Sequence, residues 1–415
     1  MAHPLLRDPE LERFIAAFVD AAFAGPPEQF AVARVSRLLV PSPFARWFVT
    51  WVLRGAPTRG TLTARLRKLG VRRRPRLREV HLDPTGMRPT RWEVPSLAMF
   101  EDLARWLELE STALEVFIDR RQMRVRAPRG PLHPYAYRRL AKRDGSTRLI
   151  EAPKARLRAV QRKILRGVLD GVPAHEAAHG FRTGRSVHTF VARHVGQVIV
   201  VRLDLHDFFG TITGTRVRAV FRALGYSPNV AFALAALCTN RLPHAYGGPS
   251  SAHLPQGAPT SPALANLVAY GLDVRLTGAA AAYGAVYTRY ADDLAFSGDA
   301  AFAVRVRSFL ALVGRIVREE GFAVRPDKTR VLGHSQRQEL AGVVVNQRPN
   351  VRRHDYDRLK AILHDAVKNG PVVANRDGHP DFQAHLAGRI AWVGSLNLER
   401  GERLFQLFRA IVWPP

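Results

Sequence analysis

Val286-Tyr287-Thr288-Arg289-Tyr290-Ala291-Asp292-Asp293-Leu294-Ala295-Phe296-Ser297 sets β-branched and aromatic residues on both sides of a pair of aspartates. The pattern predicts two short strands around a turn. Val286, Tyr287, Thr288 and Tyr290 lie on one arm and Leu294, Ala295 and Phe296 on the other, so Asp292 and Asp293 fall at the tip of a hairpin. Upstream, Val198-Ile199-Val200-Val201-Arg202-Leu203-Asp204-Leu205 is an almost continuous apolar run, the pattern of a strand buried on both faces, and it ends in the carboxylate of Asp204. Taken alone, an Asp-Asp pair is more readily a solvated turn than a ligand pair, and a strand-end aspartate does not by itself reverse that. Three such carboxylates are nevertheless a donor set for Mg²⁺, a hard cation that takes one or two carboxylates plus substrate phosphates. Two such ions can clamp the attacking and leaving oxygens of an in-line phosphoryl displacement, the reaction of nucleotidyl transfer.

Outward from these strands the texture changes twice. From about Tyr135 short strands mix with helices. Beyond Leu340, apolar stripes at Tyr356, Leu359, Ile362, Leu363 and Ala366, at Phe382, Leu386 and Ile390, and at Leu404, Leu407, Phe408 and Ile411 predict a helical C-terminal unit. Toward the N-terminus, Leu97, Phe100, Leu103 and Leu107, followed by Leu114, Phe117 and Ile118, predict a small pair of helices, and Pro128 to Pro134 reads as a linker. Arg65 to Arg78 holds eight basic residues in fourteen, with Pro75 breaking any continuous helix; it reads equally as a solvated basic face or an RNA-contacting arm. The expected division is an extension over 1–130, a central domain over 131–345 and a helical unit over 346–415.

The chain has 415 residues, 47% of them hydrophobic, which is enough for a large core and excludes a disordered tail. Lysine and arginine number 63 against 35 acidic residues, a formal charge of +28 whose natural counter-charge is a phosphate backbone, with an anionic membrane surface the other candidate. A GC-rich genome enriches arginine anyway, so the motifs must decide. No window reaches the roughly 18 apolar residues of a membrane span, and the start lacks a signal peptide's order, so a soluble, cytoplasmic protein is expected. With Cys238 as the single cysteine there is no internal disulfide and no cysteine-based zinc site.

The text around the aspartates resembles the reverse transcriptase family over roughly residues 130 to 345. Tyr290-Ala291-Asp292-Asp293 resembles its Tyr-x-Asp-Asp box, and Leu203-Asp204-Leu205-His206-Asp207-Phe208-Phe209 the strand that supplies its first metal-binding aspartate. Leu254-Pro255-Gln256-Gly257-Ala258-Pro259-Thr260-Ser261-Pro262 is similar to the segment that opens onto the incoming nucleotide. Arg148-Leu149-Ile150-Glu151-Ala152-Pro153-Lys154 and His179-Gly180-Phe181-Arg182-Thr183-Gly184-Arg185-Ser186 resemble the two fingers motifs. Gly321-Phe322 and Arg325-Pro326-Asp327-Lys328-Thr329 resemble the segment that closes the palm with a lysine. One such box is weak evidence; six in the same order are strong. Within the family the wording is most similar to bacterial retron enzymes, with the group II intron type a near relative. It departs at Leu340-Ala341-Gly342, where retrons usually show Val-Thr-Gly, and it has no clear copy of their Asn-Ala-x-x-His box.

The resemblance implies an α+β right-hand polymerase: fingers, a palm on an antiparallel sheet, a helical thumb and a mainly helical N-terminal extension. It implies RNA-directed DNA synthesis in which Asp204, Asp292 and Asp293 hold two Mg²⁺ ions. Phe209 stacks under the sugar and excludes a 2′-hydroxyl, Gln256 and Gly257 line the nucleotide pocket, and Arg148 with Lys142 or Arg143 grips the triphosphate. Lys328 corresponds to the lysine that donates a proton to pyrophosphate. A retron assignment further implies a structured non-coding RNA as template, deoxynucleoside triphosphates as substrates, a branched RNA-DNA product (msDNA), an effector protein partner and a role in antiphage defence. The alternatives are an intron-type or other defence-associated reverse transcriptase without the branched product, and a non-catalytic RNA-binding scaffold. Asp207 is expected to cap the helix after the first strand. His175 and His179 stand four apart without an evident third metal ligand and are expected to be structural, as is Cys238, in an apolar helical run.

Overall fold

A computed structural model of the chain describes residues 15, 18–19, 48–49, 52–53, 58–69, 87–120, 123, 133–141, 145, 147–246 and 251–414. The chain divides into two compact units, Met1–Thr85 and Gly86–Pro415. In the first, helix α1 (Arg59–Leu69) sets Leu62 and Leu66 one turn apart, and both join Ile15, Phe18, Val19, Phe48, Val49 and Val52 in a core of their own. The basic run is described only where it lies within α1; residues 70–78 fall outside the described residues.

The second unit begins with helices α2 (Phe100–Trp106) and α3 (Ser111–Ile118) and an antiparallel hairpin of β1 (Tyr135–Ala141) and β2 (Thr147–Pro153). Helices α4 (Ala155–Ile164) and α5 (Val187–Ala192) lead into strand β3 (Ile199–Asp204). Then come α6 (Phe208–Thr211), α7 (Gly214–Ala223), α8 (Pro228–Cys238), α9 (Ser261–Val268) and α10 (Tyr270–Ala282). The hairpin β4 (Ala285–Tyr290) and β5 (Asp293–Gly298), helix α11 (Ala300–Glu319), and strands β6 (Arg330–Gly333), β7 (Glu339–Leu340) and β8 (Val343–Val344) follow. Helices α12 (Arg353–Asn369), α13 (Pro371–Ala374), α14 (Phe382–Leu396) and α15 (Leu398–Arg409) end the unit around a separate apolar core. Helices thus mix with antiparallel sheets, as an α+β class requires. Among the described residues no helix is long and apolar enough to cross a membrane.

The expected division at 130 is corrected by the packing of α2 and α3. Leu97, Leu103, Leu107, Leu114 and Ile118 bury their stripe in the same cluster as Ile199, Val201 and Leu203 of β3, so this helix pair belongs to the central unit, and the chain divides at 85/86 instead. An amphipathic stripe tells that a face is buried without telling what covers it.

The four-stranded sheet runs β4-β5-β3-β6, with β3 and β5 inside. Alternation along β3 sends Ile199, Val201 and Leu203 to the large core on one face, and Val200 to a second cluster with Phe190, Val191, Ala295, Leu340, Val343 and Val345 on the other. Covered on both sides, β3 is as apolar as the sequence pattern requires. The exceptions are Arg202 and Asp204, on the Val200 face.

That face also buries His194, whose Nδ1 lies 2.7 Å from Ser297 Oγ and whose Nε2 lies 2.7 Å from Thr288 Oγ1. Burial, reinforced by Arg193, pushes its pKa down to about 3, and burial with nearby arginines pushes His179 down to about 4. Both rings are therefore neutral in the fold, and their contribution to stability is complete above the unfolded value near 6.5 and drains away as pH falls toward 3–4. Each ring should cost at most about 1.4 kcal/mol per pH unit below 6. Urea midpoints measured between pH 7 and 4 should fall steeply for the native chain and less so for His194→Gln; equal slopes would remove His194 from this account.

Candidate active site

Register brings the first two carboxylates together. β3 pairs antiparallel with β5 so that Asp204 lies directly opposite Asp293, and directly opposed residues share one face of the sheet. Asp292 follows at the hairpin tip, where its carbonyl accepts from the Leu205 N–H at 2.9 Å. Between the arms Ala291 adopts φ +56°, the left-handed region that favours glycine, a local strain of the sort that concentrates at functional sites. Lys328, on the turn before β6, donates from Nζ to Asp204 Oδ2 at 3.0 Å, and the Arg325 N–H donates to the Asp204 carbonyl at 2.8 Å. The four residues expected to be catalytic thus lie within one cluster.

Arg202 was not among the expected site residues. It precedes Asp204 by two, so it shares the face, and its Nε and Nη2 donate to Asp293 Oδ1 at 3.0 and 2.9 Å. An arginine inside an otherwise apolar strand, in phase with a strand-end aspartate, was the signal available. Burial raises the pKa of Asp292, and the charges of Asp293 and Asp204 add to it; burial likewise raises Asp293, opposed by Arg202. Crowded, desolvated carboxylates of this kind favour a cation beside them.

The donor set fits a divalent metal: all carboxylate oxygen, with Asp292 and Asp293 both raised in pKa by burial and by the nearby Asp204 charge. Among the described residues no three His, Cys, Asp or Glu side chains are closed around one metal-sized site. Asp204 pairs with Lys328 and Asp293 with Arg202.

The hairpin tip is held from behind by residues the sequence pattern does not single out. Arg289 and Asp273 are both wholly buried, and the guanidinium grips the carboxylate with two bonds, Nε to Oδ1 at 2.8 Å and Nη2 to Oδ2 at 2.6 Å. Nη1 donates to Asn266 Oδ1 at 3.0 Å and to the Ala291 carbonyl at 3.1 Å. Asn266 Nδ2 in turn donates to the Gly180 carbonyl at 2.9 Å. A Cβ on Gly180 would stand 2.6 Å from the Ala291 nitrogen, so this position accepts glycine alone without displacement of the hairpin.

Phe209, half-buried on α6, has its ring 6.1 Å from that of Phe181. Gln256 and Gly257 run beside β2, where the Glu151 N–H donates to the Gln256 carbonyl at 2.8 Å. Arg148 is exposed on the same strand, three residues before Glu151. Lys142 and Arg143 lie outside the described residues. Asp207 takes the N-cap position of α6 at φ +42°, but its side chain makes no capping bond, which corrects that expectation: the left-handed backbone turns the carboxylate toward Gly210 instead. His179 Nδ1 lies 2.9 Å from Thr189 Oγ1, as a structural histidine does. Cys238 is wholly buried and its thiol is pushed up to about 12, consistent with core.

Residues 140–345 match the model of the family described as reverse transcriptase (RNA-dependent DNA polymerase). The Retron Mx65 reverse transcriptase of Myxococcus xanthus is 42% identical over 331 residues, 77% of this chain and 74% of that protein. The Retron Mx162 reverse transcriptase of the same organism is 38% identical over 286 residues, 63% of this chain and 58% of that protein. The Retron Ec86 reverse transcriptase of Escherichia coli is 33% identical over 219 residues, 52% of this chain and 64% of that protein.

Proposed function

The chain belongs to the retron-type reverse transcriptases, and from that premise we propose how its residues carry out RNA-directed DNA synthesis. The observation that carries the reading is the meeting of Asp204, Asp292 and Asp293 where β3 ends against the β4–β5 tip. In this reading the β4-β5-β3-β6 sheet is the palm, the β1–β2 hairpin belongs to the fingers, and the helices from about residue 346 form the thumb.

Asp204, Asp292 and Asp293 would hold two Mg²⁺ ions, which when bound neutralise charge on the triphosphate and favour attack by the primer hydroxyl. Arg202 and Lys328 hold Asp293 and Asp204 in place, and Lys328 Nζ supplies a proton to the departing pyrophosphate. Phe209 packs under the sugar and leaves no room for a 2′-hydroxyl. Gln256 offers an amide to sugar and phosphate, Gly257 permits close backbone approach, and Arg148, with Lys142, grips the triphosphate.

The template is a structured non-coding RNA held through backbone and shape, with the steep salt dependence that phosphate contacts bring. Priming from a 2′-hydroxyl of that RNA yields a branched RNA-DNA product, which acts with an effector protein in antiphage defence in the cytoplasm. Expression with the native flanking DNA, followed by ribonuclease, debranching enzyme and sequencing, should yield a discrete short single-stranded DNA whose mobility shifts on debranching. Extension of annealed primers without any such DNA would favour an intron-type or other unbranched polymerase. Binding of RNA with no synthesis of either kind would favour a scaffold.

A further inference from the structure

Glu151 is 3% exposed, and nothing in the chemistry above uses its carboxylate. Both of its oxygens are nevertheless engaged. Oε1 accepts from His253 Nε2 at 2.8 Å, and Oε2 accepts from Asn240 Nδ2 at 2.7 Å. Asn240 Nδ2 also reaches Tyr137 Oη at 3.0 Å, which ties in β1. A buried ion pair is tolerated only when its remaining donors and acceptors are satisfied, and here they are.

The same residue touches the same segment a second time. Its backbone N–H donates to the Gln256 carbonyl at 2.8 Å, and a Cβ on Gly257, at φ +128°, would stand 3.1 Å from the Glu151 carbonyl. Glu151 therefore holds residues 253–257 at both ends, through its side chain at His253 and its backbone at Gln256. His253 is itself zipped to Asn240 by two backbone bonds of 2.9 Å, and Leu254 N–H donates to the Ile212 carbonyl at 3.1 Å, just beyond α6.

We propose that the Glu151–His253 pair is a positioning clamp for the deoxynucleoside triphosphate pocket, fixing the Gln256–Gly257 segment to β2 and so setting nucleotide affinity while leaving the chemical step largely unchanged. The proposal rests on the reading that Gln256 and Gly257 line that pocket. Glu151 and His253 are positioning residues; neither touches the reacting atoms.

Nε2 faces the Glu151 carboxylate at 2.8 Å and Nδ1 faces the Ser251 carbonyl at 3.4 Å, so each ring nitrogen has an acceptor beside it, an arrangement that favours the protonated ring. Burial opposes the charge, but the hydrogen bond and charge of Glu151, the Ser251 carbonyl and the more distant Asp207 outweigh it and raise the pKa above the ordinary value. Tyr137, reached through Asn240, is a further titratable group on this network. The sign follows: the clamp is intact below the unfolded value and is lost as pH rises through the raised one.

Steady-state extension on an RNA template, with deoxynucleotide titrated, tests this in the wild type, Glu151→Gln, His253→Gln, the double Gln variant and Gln256→Ala. The single variants should raise KM about tenfold, the scale on which loss of a supporting hydrogen-bond partner acts, with kcat within about threefold. The double variant, an amide facing an amide, should recover most of the loss. KM of the wild type should climb as pH rises through the deprotonation of His253, while that of the double variant follows only the pH dependence of the nucleotide itself. Gln256→Ala reports separately on the pocket: an unchanged KM there removes the underlying reading. A raised KM for Gln256→Ala beside wild-type KM in both single variants overturns the clamp, as does a loss confined to kcat or thermal stability. Should the single variants not fold, the pH series of wild type against double variant decides, and parallel curves overturn it.

Discussion

Asp292→Asn is expected to cut primer extension by about 10³-fold or more, the scale on which removal of one preorganised charge-stabilising group acts, while raising the melting temperature of the metal-free protein. The two effects share one cause. Burial lifts the pKa of Asp292, and the neighbouring Asp293 and Asp204 charges lift it further, so at neutral pH its ionised form weighs against the fold. An amide of the same shape removes that charge and should add about 0.5–1 kcal/mol, a usual gain when a strained functional group is neutralised. A carboxylate whose folded pKa is raised weighs against the fold above that value and is relieved as pH falls below it. The advantage of the asparagine should therefore be largest near pH 7 and shrink toward pH 4. Scanning calorimetry without metal, beside extension assays and RNA binding at fixed salt, separates the possibilities. Activity within tenfold of wild type would falsify the ligand assignment. RNA affinity should stay close to wild type, whereas a large drop in melting temperature with loss of RNA affinity would make the carboxylate structural.

The strand ending in Asp204 and the hairpin turning at Asp292 and Asp293 were legible from the apolar pattern, but a metal-binding role for the three carboxylates was suggested only by the six family-like motifs around them. What surrounds them was less legible, for a common reason. Asp273 and Arg289 stand 16 residues apart on a helix and a strand, and Glu151 and His253 stand 102 apart, so no local period links either pair. Arg202 was visible as an odd charge in an apolar run, yet only the register of β3 against β5 shows that it faces Asp293. The α2–α3 pair shows the converse: its stripe was read correctly as buried, but a stripe does not name its partner, and the division at 130 rested on that missing information.

Asp273→Ala is expected to be the most destabilising single change in the central unit. It leaves the Arg289 guanidinium wholly buried without its carboxylate, and breaking a buried pair on one side costs about 3–5 kcal/mol. Tyr287, whose hydroxyl donates to the same carboxylate at 2.8 Å, loses its partner as well. Stability alone does not isolate what the pair does, because any core cavity would lower it. The apolar replacement Asp273→Leu with Arg289→Met makes the distinction: swapping both members of a buried pair for hydrocarbon of similar volume is often neutral or stabilising. Made together with Tyr287→Phe, so that no buried hydroxyl is left unpaired, that double variant should unfold at close to the wild-type urea midpoint. It nevertheless loses the Nη1 bonds to the Ala291 carbonyl and to Asn266, and with them the support of a tip whose Ala291 already sits at φ +56°. Extension activity should then fall about 10–100-fold, as when the partners that orient a ligand are removed. A double variant that is both stable and fully active would show that the hairpin holds its carboxylates without help, and would reduce Arg289 to a core residue.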